Sequence, residues 1–324
     1  MGMKYVVTGG AGFIGSHIAE RLLREGHTVA VVDNLLTGRR TNLERLASLG
    51  GDFLFHAISI TDLDSLRVAF AEADTVFHEA ALPSVPRSVS HPLETHLHCA
   101  TGTLTVLEAA RLSDVRRVVY AASSSAYGEA EGEFKVETLT PKPISPYGAA
   151  KLAGETYCQV YHQVYGLETV ALRYFNVFGP HQDPQSAYAA VIPLFITAML
   201  RGQSPVIFGD GTQSRDFTYI DNVVQGNLLA SSAPDAPGEV MNLATGGRIS
   251  LLDLVDAIND VLGTAIQPRF ATARDGDIKH SRADISKAAE LLDFAPGISF
   301  EEGLRRTVAW YRDTIEETQS EPRL

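Results

Sequence analysis

A tyrosine and a lysine stand four residues apart in SPYGAAKLAGE, residues 145–155. On a helix, that spacing stacks both side chains on one face. Pro146 suits the first turn of such a helix. A free tyrosine titrates near about pH 10 and is a poor base at neutrality. An ammonium beside Tyr147 favours the phenolate, and Lys151 supplies one; the pair can then take a proton from a hydroxyl. Surface helices carry both residue types for no chemical reason, so the pair needs company. Ser123, Ser124 and Ser125 provide it, at the end of the apolar run RRVVYAA (116–122). A serine there can hold the hydroxyl whose proton the tyrosine removes, although a serine cluster also suits a plain turn.

A second group of residues points to a nucleotide. VVTGGAGFIGSH follows the first apolar run and contains Gly9, Gly10, Gly12 and Gly15. Glycine at this spacing permits a tight turn, close approach of the backbone to a pyrophosphate, and packing of helix on strand. A helix beginning at Phe13 and Ile14 offers unpaired N–H groups and a positive dipole end to the phosphates. Position between a strand and a helix is the context that separates this motif from a chance match. Asp33 ends the next apolar run, where a carboxylate can accept both hydroxyls of an adenosine ribose and repel a 2′-phosphate. NAD is therefore expected over NADP. Arg39 and Arg40 keep NADP possible and read more simply as a solvated loop pair. A nicotinamide cation near Tyr147 would lower the phenol further.

These groups need a scaffold that brings them to one edge. Apolar, β-branched runs at 4–9, 28–33, 52–58, 75–80, 116–122 and 168–175 alternate with helix-like segments near 13–25, 62–72, 93–113 and 146–165. The alternation predicts an α/β fold, a doubly wound parallel sheet buried on both faces. Ligands of such sheets bind at the carboxyl ends of the strands, where the glycines, Asp33 and the serines all fall. After about residue 176 the rhythm breaks into Gly-, Pro- and Asp-rich loops with helices near 190–201, 221–232, 250–262 and 301–317. The expected division is a nucleotide-binding Rossmann domain over 1–175, a smaller α/β substrate-binding lobe over 176–317 with strands partly interleaved, and a tail at 318–324.

Composition limits the partners. Of 324 residues, 45% are hydrophobic and 20% charged, which allows a sizeable core. The net charge of −12 disfavours nucleic acid and anionic membrane, and no apolar run is long enough to span a bilayer. The start shows no secretory segment, and Cys99 and Cys158 alone make no disulfide framework, so a cytoplasmic protein is expected. His96 and His98 do not share a helix face, and no metal site is expected.

TGGAGFIG, Ser123 and the Tyr147–Lys151 pair together resemble the extended short-chain dehydrogenase/reductase superfamily. RYFNVFGP (173–180) and SRDFTYIDNVV (214–224) resemble its nucleotide-sugar branch, with closest similarity to NAD-dependent UDP-hexose 4-epimerases. The resemblance covers nearly the whole chain. It implies that Tyr147 removes the O4 proton of the sugar while C4 gives hydride to NAD. The 4-keto sugar then turns and takes the hydride back on its other face. It implies Ser123 as the partner of O4, with Ser124 and Ser125 left open. It implies NAD contacts by Gly9, Gly12, Phe13, Ile14, Gly15, Asp33, Asn34, Ser59, Ile60, Ala80, Ala81, Tyr147, Lys151 and Tyr174. On the UDP-sugar side it implies Ser84, Arg87, Asn176 and Val191, a pyrophosphate clamp of Arg215 and Arg274, and Asp277 on the uridine ribose.

Ser281 falls where the family lines the hexose pocket. A small side chain there leaves room for a 2-acetamido group, and QDPQSAYAAVIP (182–193) and SVPRS (84–88) resemble epimerases of UDP-N-acetylhexosamines. UDP-GlcNAc and UDP-GalNAc are therefore the expected substrates, with UDP-Glc and UDP-Gal possible. UDP-glucuronate stays open because Arg87 can meet a carboxylate. A dehydratase or decarboxylase needs carboxyl groups where Ser124 and Ser125 bring only hydroxyls. A non-enzymatic NAD-sensing scaffold fits poorly with an intact Ser, Tyr and Lys set. Cys99 stands where the family commonly has Asn, so a lost amide contact near the cofactor is expected. Leu104, Leu107, Leu152 and Tyr161, read as surplus apolar residues on the helices near 93–113 and 146–165, suggest a homodimer through a four-helix interface.

Overall fold

The β-branched runs form strands because both of their faces are covered. In the computed structural model, which describes residues 2–132, 134–184, 190–273 and 279–320, they are β1 (Lys4–Thr8), β2 (Thr28–Val32), β3 (Phe53–His56), β4 (Thr75–His78), β5 (Arg117–Ser123) and β6 (Glu168–Tyr174). A further strand, Val240–Leu243, joins them from the second half of the chain. The order across the sheet is Val240–Leu243, β6, β5, β4, β1, β2, β3, and every pairing is parallel. Val7 and Val31 pack into one apolar layer while their neighbours Val6 and Val32 pack into the other. Side chains alternate between faces, yet all four are fully buried.

Between the strands run α1 (Phe13–Arg24), α2 (Arg40–Ser48), α3 (Leu63–Phe70), α4 (Val85–Ser90), α5 (Pro92–His96), α6 (Gly102–Leu112) and α7 (Pro146–Tyr165). The second half adds α8 (Val191–Leu200), α9 (Ile220–Ser232), α10 (Leu251–Leu262), α11 (Ser286–Leu292) and α12 (Phe300–Ser320). α1 and α9 cover one face of the sheet; α3, α6 and α7 cover the other. The remaining strands are short pairs: Val177–Phe178 with Thr218–Tyr219, Ser214–Arg215 with Ile249–Ser250, and Val206–Phe208 with Arg269–Ala271. No helix among the described residues is long and apolar enough to cross a membrane.

Three expectations are corrected. The helix predicted over 93–113 is broken: α5 and α6 are joined by a π-helical turn, Leu97–Thr101. The added residue widens the turn where Cys99 and Ala100 pack with Leu82 and Ala150. β3 is an edge strand, and Leu54 and Phe55 are exposed instead of buried on both sides. Leu107 and Tyr161 are not surplus: both lie in the layer beneath α6 and α7, and Leu104 packs against it. The exposed apolar side chains of this region include Val89, Leu93, Leu97, Val160 and Val164. Helix α2 escapes sequence reading because Arg39 caps it without a side-chain bond and its residues are mostly polar.

Candidate active site

The carboxyl ends of the strands open into a cleft of about 710 Å³. Its first wall is the glycine turn. Gly9 has φ of 70°, a left-handed conformation suited to glycine. A Cβ on Gly15 would sit 2.4 Å from Gly9 O, so the helix packs on the turn only with glycine there. α1 starts at Phe13 with Gly12 as its N-cap and no side-chain cap, leaving first-turn N–H groups to a ligand. Asp33 is buried; one carboxylate oxygen accepts from Ala11 N at 3.0 Å and the other from Leu35 N at 2.8 Å. Burial pushes its carboxyl up, and these two bonds oppose that. Each oxygen keeps lone-pair capacity for a hydroxyl. The uncapped helix end and the anchored acid fit a dinucleotide with a free ribose diol.

The second wall carries the proton chemistry. Ser145 caps α7 by accepting from Gly148 N at 3.0 Å, and Pro146 occupies its first turn. A Cβ on Gly148 would lie 2.6 Å from Ser125 O, so α7 can press against the serine turn only because that residue is glycine. The contact brings Tyr147 beside Ser123 in the cleft lining, close enough for the serine hydroxyl to favour the phenolate. Ser125 also donates to Ser123 Oγ at 2.8 Å, which fixes that hydroxyl. Lys151 is buried one turn further on; its Nζ donates to Ala121 O at 2.6 Å and lies 4.9 Å from the centre of the Tyr120 ring. Burial lowers the ammonium's pKa.

The direction of the Tyr147 shift is opposite to the sequence expectation. Burial pushes the phenol well above its ordinary value, the nearby Cys99 adds to this, and the Ser123 side chain opposes it. Lys151 is not a principal influence on the phenol; its ammonium donates to a carbonyl of β5. The resting phenol is a proton donor at neutral pH, and it becomes a base only beside an added positive charge.

The cleft gathers most of the predicted residues. Gly9, Gly12, Phe13, Ile14, Gly15, Asp33, Asn34, Ile60, Ala80, Ala81, Tyr147, Lys151 and Tyr174 line it, as do Ser84, Arg87, Ser123, Ser124, Ser125 and Asn176. Ser59 does not line it; its hydroxyl pairs with Thr61 at 2.8 Å. Val191 opens α8 just beyond the lining residue Ala190. Arg215 and Ser281 also stand outside the lining. Arg215 donates to Ser214 O at 2.9 Å, and Ser281 N donates to the same carbonyl at 3.1 Å. Arg274 and Asp277 lie outside the described residues, as does the 185–189 part of the stretch read as resembling acetamido-sugar epimerases. Cys99 is buried and does not line the cleft; its sulfur accepts from Leu82 N at 3.4 Å. Arg87 is engaged by Glu94, at 2.8 and 3.3 Å.

Sequence reasoning missed Glu79, Asn42 and Gln182, which also line the cleft. Glu79 could have been found: it is an acid directly after an apolar strand whose end must face the ligand edge. Asn42, whose amide donates to Ala11 O at 2.9 Å, lies in the unread helix α2.

Comparison with known proteins bears on the whole of this architecture. The model of the NAD dependent epimerase/dehydratase family matches residues 5–244. A UDP-N-acetylglucosamine 4-epimerase from Methanobrevibacter ruminantium M1, solved with UDP-N-acetylmuramic acid, superposes with a TM-score of 0.92 at 41% identity, covering 97% of this chain and 99% of that one. The UDP-glucose 4-epimerase of Mycolicibacterium smegmatis is 38% identical over 96% of this chain and 99% of its own length. The UDP-glucuronate 4-epimerase of Thermodesulfobacterium geofontis is 37% identical over 96% and 97%.

Proposed function

The chain belongs to the NAD dependent epimerase/dehydratase family, and we propose that it interconverts UDP-hexoses at C4, with UDP-GlcNAc and UDP-GalNAc preferred. The observation that carries this reading is the meeting of Tyr147, Ser123 and Lys151 in one cleft whose other wall is an uncapped helix end and a buried acid. NAD, held by the glycine turn, α1 and Asp33, supplies a reversible hydride acceptor and a cationic ring.

Ser123 holds the O4 hydroxyl, with its own geometry fixed by Ser125. Tyr147 exchanges the O4 proton, and burial makes its proton affinity sensitive to the charge beside it. Lys151 anchors α7 to β5 through Ala121 and keeps a positive charge near the phenol. Asn176, Ser84 and Val191 are assigned to the sugar side, and Arg215, Arg274 and Asp277 to the UDP. The serine turn brings hydroxyls only, which favours epimerisation over dehydration or decarboxylation. Arg87 already has a carboxylate partner in Glu94, which weakens the case for an anionic sugar.

The test is product analysis by NMR with UDP-GlcNAc, UDP-Glc and UDP-GlcA in parallel. Interconversion of UDP-GlcNAc and UDP-GalNAc is the expected result. Turnover confined to UDP-Glc or UDP-GlcA overturns the preference, and no 4-epimer from any of the three overturns the reaction. Acid extraction of the purified protein should release NAD; recovered NADP would remove the Asp33 argument.

We also assign a homodimer through α4, α5 and α7, whose side chains Val89, Leu93, Val160 and Val164 stay exposed, Leu93 at 84%. Light scattering should give twice 35.0 kDa; a mass of one chain refutes the assignment. A cytoplasmic setting suits the two buried free thiols, Cys99 and Cys158.

A further inference from the structure

Tyr174 ends β6 on the floor of the cleft, and its hydroxyl lies 2.9 Å from Glu79 Oε1 and 2.9 Å from Asn227 Oδ1. A phenol has one proton to donate. The Asn227 amide is oriented by its other end, because Nδ2 donates at 2.8 Å to Val223 O, a carbonyl that can only accept. The atom facing Tyr174 is therefore the amide oxygen, an acceptor. If Tyr174 donates to it, the contact with Glu79 requires a proton from the glutamic acid. An ionised Glu79 would leave either its own oxygen or that of Asn227 against a lone pair of the phenol, an expensive arrangement in a buried network.

The groups around Glu79 agree with a neutral acid. From α7 it faces Lys151 and Tyr147, and from β6 it faces Tyr174. From α9 the network receives only the uncharged Asn227. Lys151 donates to Ala121 O. Burial raises the Glu79 carboxyl to about 7, against the lowering effects of Tyr174 and Lys151. Part of the residue still faces the cleft, so its proton can exchange with solvent there.

Given NAD as the cofactor, we propose that Glu79 is a neutral acid in the resting cleft and the switchable counter-charge of the reacting ring. Glu79 loses its proton to solvent when the ring is an oxidised cation and regains one when the ring is reduced and neutral. The hydride passes separately between sugar carbon and ring, so the two transfers balance independently. An ionised Glu79 favours the oxidised cofactor, which is the form that must wait for substrate.

The test uses the holoenzyme. Infrared difference spectra between its oxidised and reduced forms, taken at about pH 6, below the value near 7 that burial gives Glu79, should show the carbonyl stretch of a protonated carboxyl gained on reduction. Glu79→Gln should lose that band. Its amide N–H can take over the bond to Tyr174, so the fold should persist. The ratio of NAD to NADH affinity should fall roughly ten-fold in this variant, since one unit of counter-charge is gone. A redox change in the unaltered protein with no carboxyl band overturns the proposal, and so does an unchanged affinity ratio in Glu79→Gln. A protein that binds no dinucleotide gives no redox spectrum at all, and that result defeats the cofactor assignment itself.

Discussion

Asp33 is held by backbone N–H groups from Ala11 and Leu35 at the edge of a seven-strand sheet. Arg215 sits on a two-residue strand whose surroundings are tied by side chains: Ser214 to His280 at 2.9 Å and Arg248 to Ser214 at 3.1 Å. The first arrangement is rigid because a parallel sheet and two apolar layers fix the backbone. The second depends on individual side chains, so it can change with few substitutions. The residues proposed for the reaction thus stand on the part of the molecule that tolerates least change, while Arg215 and Ser281, proposed for the UDP-sugar, stand on the part that tolerates most.

The largest effect should come from the rigid half. Tyr147→Phe removes the proton acceptor, and kcat should fall about 10²- to 10⁴-fold with UDP-sugar affinity nearly kept. Steady-state kinetics and calorimetric titration check this; near-normal turnover would remove the proposed base. Glu155→Gln, in the same helix, strands the buried Arg173 that Glu155 now binds at 2.7 Å. It should cost about 3–5 kcal/mol of unfolding free energy in denaturant titration. A loss under 1 kcal/mol would mean that α7 is held to β6 by packing alone.

The adaptable half should respond by a change of preference. Ser281→Tyr adds an aromatic ring, with an overpacking cost of about 1–3 kcal/mol, or roughly 5- to 150-fold. The kcat/KM ratio of UDP-GlcNAc to UDP-Glc should fall by that factor, with UDP-Glc spared. Equal losses on both sugars would show a structural role.

Acid should act mildly, and mainly through the nucleotide-binding half. Burial holds His17 at about 4, His78 at about 3 and His181 at about 3. Each binds a proton in the unfolded chain near about pH 6.5 and resists one when folded, so stability falls as pH drops from about 6.5 towards 4. Glu79 works the other way: its raised pKa makes stability increase as pH falls from about 7 to its unfolded value. His56 and His280, also lowered, act with these three, while the raised carboxyls of Asp33, Glu155, Asp216 and Asp221 act with Glu79. The three buried histidines dominate, so the melting temperature should decline over this window. A flat profile between pH 6.5 and 4 would show that the histidines gain solvent access.

What could be read from the sequence divides along the same line. The glycine turn, Asp33, the serines and the Tyr147–Lys151 pair are legible because each depends on local spacing and on a strand end. The break at Leu97–Thr101 is not, because the pull comes from Leu82 and Ala150, remote in sequence. The rise of the Tyr147 pKa is equally hidden: it comes from burial that no spacing reports. The Arg87–Glu94 pair spans two short helices, and no helix is expected from the sequence at the first of them. In the second half, two-residue strands leave no periodicity to detect, and only the helices α8, α9, α10 and α12 were foreseen.

The strand Val240–Leu243 completes the sheet beside β6. During synthesis, β6 has emerged long before its neighbour is made. Until then its outer edge presents unpaired N–H and C=O groups along a stretch that is buried in the finished fold, open to pairing with another nascent chain. A fragment cut near residue 175 would keep that edge permanently. The nucleotide half, self-contained by motif, therefore takes one strand of its sheet from beyond the expected boundary at residue 175.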